Sequence, residues 1–151
     1  MCRADGRDTA QGVSQENVEI VRRVYERWGR GDLRAGTELF DPWVVLVLRK
    51  EFPDAGAYLG PEGIRKYTRG FLEGWDDAVI ESEEFIAAGD SVVVRVHQHA
   101  TGKQSGTPVN MRYFQVWTFR GGAVIRIESI RAREEALDAA GLGEEAPTTG
   151  K

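Results

Sequence analysis

Two runs rich in β-branched and aromatic residues, Val109 to Phe119 and Ala123 to Ile130, flank Arg120-Gly-Gly122. Such runs favour extended backbone, and two adjacent glycines supply the positive φ values that a two-residue hairpin turn requires. An antiparallel hairpin is therefore expected here, and two further runs precede it, Val79 to Ala88 and Ser91 to Thr101. Gly89-Asp90 joins the first pair, and the glycine-bearing stretch from Gly102 to Pro108 joins the second to the hairpin. Links this short force antiparallel pairing, so the C-terminal half reads as a four-strand meander.

The N-terminal half alternates helices with one strand. Val18, Val21, Tyr25 and Trp28 recur at spacings of three and four behind a capping Ser14, and Gly29 and Gly31 close that helix. Asp32 is placed to cap a second helix ending near Phe40, before the break at Asp41-Pro42. Trp43 to Leu48 reads as a strand apolar on both faces, which calls for cover on both sides. Arg49 to Leu59 has the composition of a loop. Pro61 then opens a third helix carrying Ile64, Tyr67, Phe71, Leu72 and Trp75, ended by Asp76-Asp77. A short helix from Arg133 to Ala140 follows the meander. The segment 1–13 has no apolar periodicity and is expected to be disordered; residues 14–142 form one domain, and 143–151 a flexible tail.

The totals narrow the function. Twenty Lys and Arg against twenty-four Asp and Glu give a net charge of −4 without a basic stripe, so nucleic acid is not an expected partner. The absence of a long apolar run speaks against a membrane partner, and with no signal-peptide pattern the expected location is cytoplasmic. Cys2, the single cysteine, excludes an intrachain disulfide and argues against a cysteine-built metal site.

Several motifs then carry a resemblance. They are Val24-Tyr-Glu-Arg-Trp-Gly-Arg-Gly-Asp-Leu33, Glu38-Leu-Phe-Asp-Pro42, Tyr58-Leu-Gly-Pro-Glu-Gly-Ile64, Glu83-Glu-Phe-Ile-Ala-Ala-Gly-Asp-Ser-Val-Val-Val94, Val116-Trp-Thr-Phe-Arg-Gly-Gly-Ala-Val124 and Glu134-Glu-Ala-Leu-Asp-Ala-Ala-Gly-Leu142. In this order and spacing the chain resembles SnoaL-like polyketide cyclase-type proteins of the nuclear transport factor 2-like superfamily, which includes ketosteroid isomerase. The resemblance implies an α+β fold: a cone-shaped, curved antiparallel sheet wrapped around three N-terminal helices, with a central pocket.

It does not imply steroid isomerisation. The positions matching the isomerase tyrosine, base and acid are Val24, Leu46 or Leu48, and Gln115, none of which can do that work. A histidine and an aspartate occupy the pocket of SnoaL-type cyclases; His97 or His99 resembles the former, and Glu128 is the carboxylate nearest the latter. Arg95, His97 and His99 alternate along one strand and so share a face. On the next strand Tyr113, Gln115 and Trp117 share the face that the resemblance turns toward the pocket.

The expected catalytic residues are accordingly His97, His99 and Glu128. The expected binding residues are Tyr25, Trp28, Arg95, Tyr113, Gln115 and Trp117. No third ligand is signalled for a cation shared by His97 and His99, so no metal and no cofactor are expected. The reading is a cofactor-independent acid/base enzyme, of isomerase, cyclase or dehydratase type, acting on a small hydrophobic carbonyl compound. Its alternative is a non-catalytic binding or interaction domain. Phe114 and Val116, on the opposite sheet face, would be exposed in a monomer and predict a homodimer through that face.

Overall fold

The computed structural model describes residues 2–142, with side chains described from Ser14 onward. Helix α1 spans Cys2–Trp28. It therefore begins ahead of Ser14, whose hydroxyl donates to the Gly89 carbonyl at 3.0 Å rather than capping a helix. The expectation of disorder over 1–13 meets a backbone that is helical from Cys2. The expected tail 143–151 lies outside the described residues.

Strand β1 spans Phe40–Leu48, β2 Gly56–Leu59, β3 Trp75–Ala88, β4 Ser91–Gly102, β5 Pro108–Arg120 and β6 Ala123–Ile130. Helix α2 covers Gly60–Gly74 and α3 Arg133–Ala139. The six strands form one sheet in the order β2-β1-β6-β5-β4-β3. The meander β3 to β6 is antiparallel throughout, and Gly121 and Gly122 adopt φ values of 60° and 84° at its last turn.

Three local expectations are corrected. The second helix is reduced to one 3₁₀ turn, Thr37–Leu39, because Gly36 adopts a left-handed φ of 98° and Asp32 instead accepts from Arg27 at 2.7 Å. The stretch read wholly as loop contains β2, too short and glycine-bearing to show an alternation. Finally, the sheet is mixed: β1 lies parallel to β6, pairing Leu46 with Ile127 and Leu48 with Ser129. Parallel neighbours need a long crossover, and this one runs through β2, α2 and the strands β3 to β5.

The main core fills the space between α1, α2 and one face of the sheet. Val21, Val44, Val92, Val94, Val96 and Trp117 are fully enclosed there. A second core forms on the opposite face, where Val93, Phe114, Val116 and Ile130 pack beneath Ala136 of α3. Phe114 and Val116 are thus buried, not exposed as expected, because α3 folds back over β5 and Arg133 sits over the Phe114 ring. The apolar patch that argued for a homodimer is consumed within the chain. Among the described residues no helix is long and apolar enough to cross a membrane.

Candidate functional site

Strand alternation decides which side chains reach the interior. On β5, Met111, Tyr113 and Gln115 share one face, as the alternation predicts, and turn toward α1 and α2, as the resemblance implies. On β4 the inward set is Val92, Val94, Val96, Gln98 and Ala100. On β6 it is Ile127 and Ser129. Together with α2 and the loop after β1 they enclose a cavity of about 570 Å³.

Its walls are largely apolar, with Leu46, Phe52, Ile64, Phe71, Met111 and Ile127 among them. The polar groups are few and paired. Tyr113 OH donates to Gln98 Oε1 at 2.6 Å, and Gln115 Nε2 donates to Ser129 Oγ at 3.2 Å. Tyr67 OH donates to Asp54 Oδ2 at 2.7 Å, and Tyr58 OH donates to the Asp54 carbonyl at 2.7 Å. Asp54 is the one carboxylate among the described lining residues; Arg34 and Arg65 are the cations.

Behind this surface lies a second polar layer. Trp117 Nε1 donates to Tyr25 OH at 2.8 Å, and Tyr25 OH donates to Gln115 Oε1 at 2.5 Å. Burial pushes the Tyr25 hydroxyl well above its ordinary range, outweighing the opposing effect of the Trp117 hydrogen bond. Burial raises the Tyr113 hydroxyl too, reinforced by the negative charge of Asp54. Tyr67 is raised first by burial and then by its bond to Asp54. These phenols remain neutral donors at physiological pH.

Of the expected site residues, Trp28, Tyr113 and Gln115 line the cavity. Tyr25 and Trp117 stand one layer behind it. The remaining four do not reach it. Arg95, His97 and His99 have the opposite parity to Val94, Val96 and Gln98, and so point to the outer sheet face. There Arg95 pairs with Glu83, His97 Nε2 lies 2.8 Å from Asn110 Oδ1, and His99 Nε2 lies 3.2 Å from Glu81 Oε1. Glu128 shares the outer face with Ile130 and accepts from Arg49 Nε at 2.6 Å, with Arg126 Nη2 3.2 Å from its other oxygen. It is buried, and its pair with Arg49 ties β6 to the end of β1. None of the three expected acid/base residues lines the cavity.

Gln98, Ser129, Tyr67 and Asp54 reach the cavity without being among the expected site residues. Gln98 had a visible signal, being a polar residue in register with three inward valines. Ser129 had the same kind of signal beside Ile127. Tyr67 is legible in the sequence only as part of the apolar face of α2. Asp54 lies in a loop without periodicity, and nothing in its neighbourhood marks it.

The SnoaL-like domain model matches residues 21–127, most of the chain and most of this architecture. The chain belongs to the SnoaL-like domain family. A search of the curated proteins finds no match. Among solved structures, this SnoaL-like domain is similar to a nuclear transport factor 2-like protein of Burkholderia thailandensis, at 25% identity and a TM-score of 0.68 over 82% of this chain and 94% of that one. It is similar in fold to a protein assigned as a SnoaL-like polyketide cyclase from Jannaschia sp., at 20% identity and a TM-score of 0.67 over 85% and 92% of the two chains. A third similar fold is TerC, crystallised with polyporic acid, at 24% identity and a TM-score of 0.66 over 85% and 98%. The curved, mixed six-strand sheet with its three helices is thus the nuclear transport factor 2-like fold.

Proposed function

We propose that this SnoaL-like domain binds a small, largely apolar molecule bearing a carbonyl or hydroxyl oxygen, and acts on it by proton transfer without a cofactor. The observation that carries the reading is the cavity itself. Its volume of about 570 Å³ falls in the range of small-molecule sites, and its few polar groups are set among hydrocarbon and aromatic walls. Gln115, Ser129 and the Tyr113–Gln98 pair are neutral, which suits an uncharged oxygen better than an anion. The neighbour assigned as a polyketide cyclase and the one crystallised with polyporic acid are in keeping with this ligand class.

The acid/base role passes from His97, His99 and Glu128 to Asp54. Its carboxylate accepts from Tyr67 and borders the cavity, so it is placed to take a proton from a bound carbon or hydroxyl acid. Tyr113 is kept protonated by burial, and turning its hydroxyl from Gln98 Oε1 toward the ligand would let it donate to developing negative charge on oxygen.

Trp28 and Trp75 line the cavity and report occupancy through their fluorescence. Titration with a panel of aromatic and polycyclic ketones is expected to quench it saturably, and Gln115→Leu to weaken that binding. For a compound that is turned over, Asp54→Asn should retain binding and lower kcat by about 10²- to 10⁴-fold. Turnover unchanged in Asp54→Asn overturns the catalytic assignment. The ligand-binding assignment fails if no compound quenches either tryptophan.

A further inference from the structure

The two histidines that miss the cavity meet a third potential ligand on the outer face. Glu81 of β3 is the cross-strand partner of His97, and its carboxylate oxygen lies 3.2 Å from His99 Nε2. One ligand atom from each of Glu81, His97 and His99 falls within a span of 4.8 Å. Asn110 of β5 pairs with His99 across the strands and brings its Oδ1 to 2.8 Å from His97 Nε2. Two imidazoles, a carboxylate and an amide oxygen thus converge from three adjacent strands.

The surrounding positive charge is partly offset by a carboxylate. Arg95 and Arg112 share this face, but both guanidinium groups are engaged by Glu83, at 3.4 Å and 3.1 Å. The imidazole rings stand 5.1 Å apart between centroids, and both histidines are half-buried, so small side-chain rotations bring their nitrogens to a common point. Two nitrogen ligands and one carboxylate suit a late first-row divalent ion, with the amide oxygen or water completing the shell.

The geometry points to a divalent transition-metal site, of zinc class, formed by Glu81, His97 and His99 with Asn110 at its edge. It lies back to back with the cavity wall. Gln98, between the two histidines in sequence, faces inward and accepts the Tyr113 hydroxyl. A bound ion would fasten β3, β4 and β5 together behind that pair.

The test uses the full, tag-free chain in a Cys2→Ser background, which removes the only thiol and leaves His97 and His99 as the only imidazoles. Calorimetric titration with Zn²⁺ is expected to give one ion per chain and to raise the thermal midpoint. Co²⁺ should give the visible absorption of a low-symmetry nitrogen and oxygen site. Loss of a ligand should weaken binding at least about tenfold in His99→Ala, His97→Ala and Glu81→Gln, while circular dichroism confirms that each variant folds. Arg120→Ala, on the same strand as Asn110 but at its far end, should bind as the parent does. The site is refuted if the parent takes up no Zn²⁺, or if its affinity survives both histidine substitutions.

Discussion

Trp117 Nε1 and the Tyr25 hydroxyl are hydrogen-bonded at 2.8 Å across 92 residues of sequence, joining the middle of β5 to the inner face of α1. The same hydroxyl donates to Gln115, whose amide holds Ser129 on β6. Edge contacts between the Tyr25 ring and both Trp28 and Trp117 surround this polar chain with aromatic carbon. Cavity shape and helix position are therefore set by one buried network. Each member restricts the others, since an unpartnered group in such surroundings is costly.

Tyr25→Phe keeps the ring and removes the hydroxyl, leaving the Trp117 indole N–H and the Gln115 carbonyl without their buried partner. Stability is expected to fall by roughly 2–4 kcal/mol, read as a lower urea midpoint. The double variant Tyr25→Phe with Trp117→Phe should lose less than the sum of the single effects, because the stranded indole donor is gone. Strict additivity in that cycle would show the bond to be energetically idle.

Phe114 lies under α3 against Val116, Ile130 and Ala136, with Arg133 above its ring. Phe114→Glu removes that packing and places a carboxylate against the apolar cluster, so a loss of about 3 kcal/mol or more is expected. Thermal melting should show the loss directly, and Arg133→Ala should cost much less. Should Phe114→Glu melt like the parent and merely change its elution volume on size exclusion, the residue would be an intersubunit contact after all.

All four tyrosines of the chain have hydroxyls raised above their ordinary value of 10.0, Tyr25, Tyr67 and Tyr113 chiefly by deep burial and Tyr58 by desolvation with the Asp54 charge. A phenol with a folded pKa above its unfolded one binds its proton more tightly in the native state. The corresponding stability is intact below about pH 10 and is lost as the pH climbs toward the folded values. Alkaline titration should therefore show tyrosinate absorbance at 295 nm rising together with loss of circular dichroism. Ionisation of all four phenols ahead of unfolding would contradict the buried placement.

Local sequence was enough for the meander, the last hairpin turn, the apolar faces of α1 and α2, and the grouping of Tyr113, Gln115 and Trp117 on one face of β5, which the family resemblance turned inward. Those features follow from periodicity and turn chemistry over a few residues, which a local reading captures. It also determined the family, through motifs that serve turns and helix starts. On β4 the alternation is legible as well, since Val92, Val94 and Val96 share one face while Arg95, His97 and His99 share the other. In the fold the valine face meets the helices, sending His97 and His99 outward and Gln98 inward, against the inward placement that the family resemblance implied for a histidine. Local pattern could not anticipate that α3 would cover Phe114, that Glu128 would be taken up by Arg49, or that β1 would lie parallel to β6. Asp54 with Tyr67, and Glu81 with the two histidines, are juxtapositions of separate elements. They are decided by the one packing that buries both apolar faces of the sheet at once, a constraint no single segment contains.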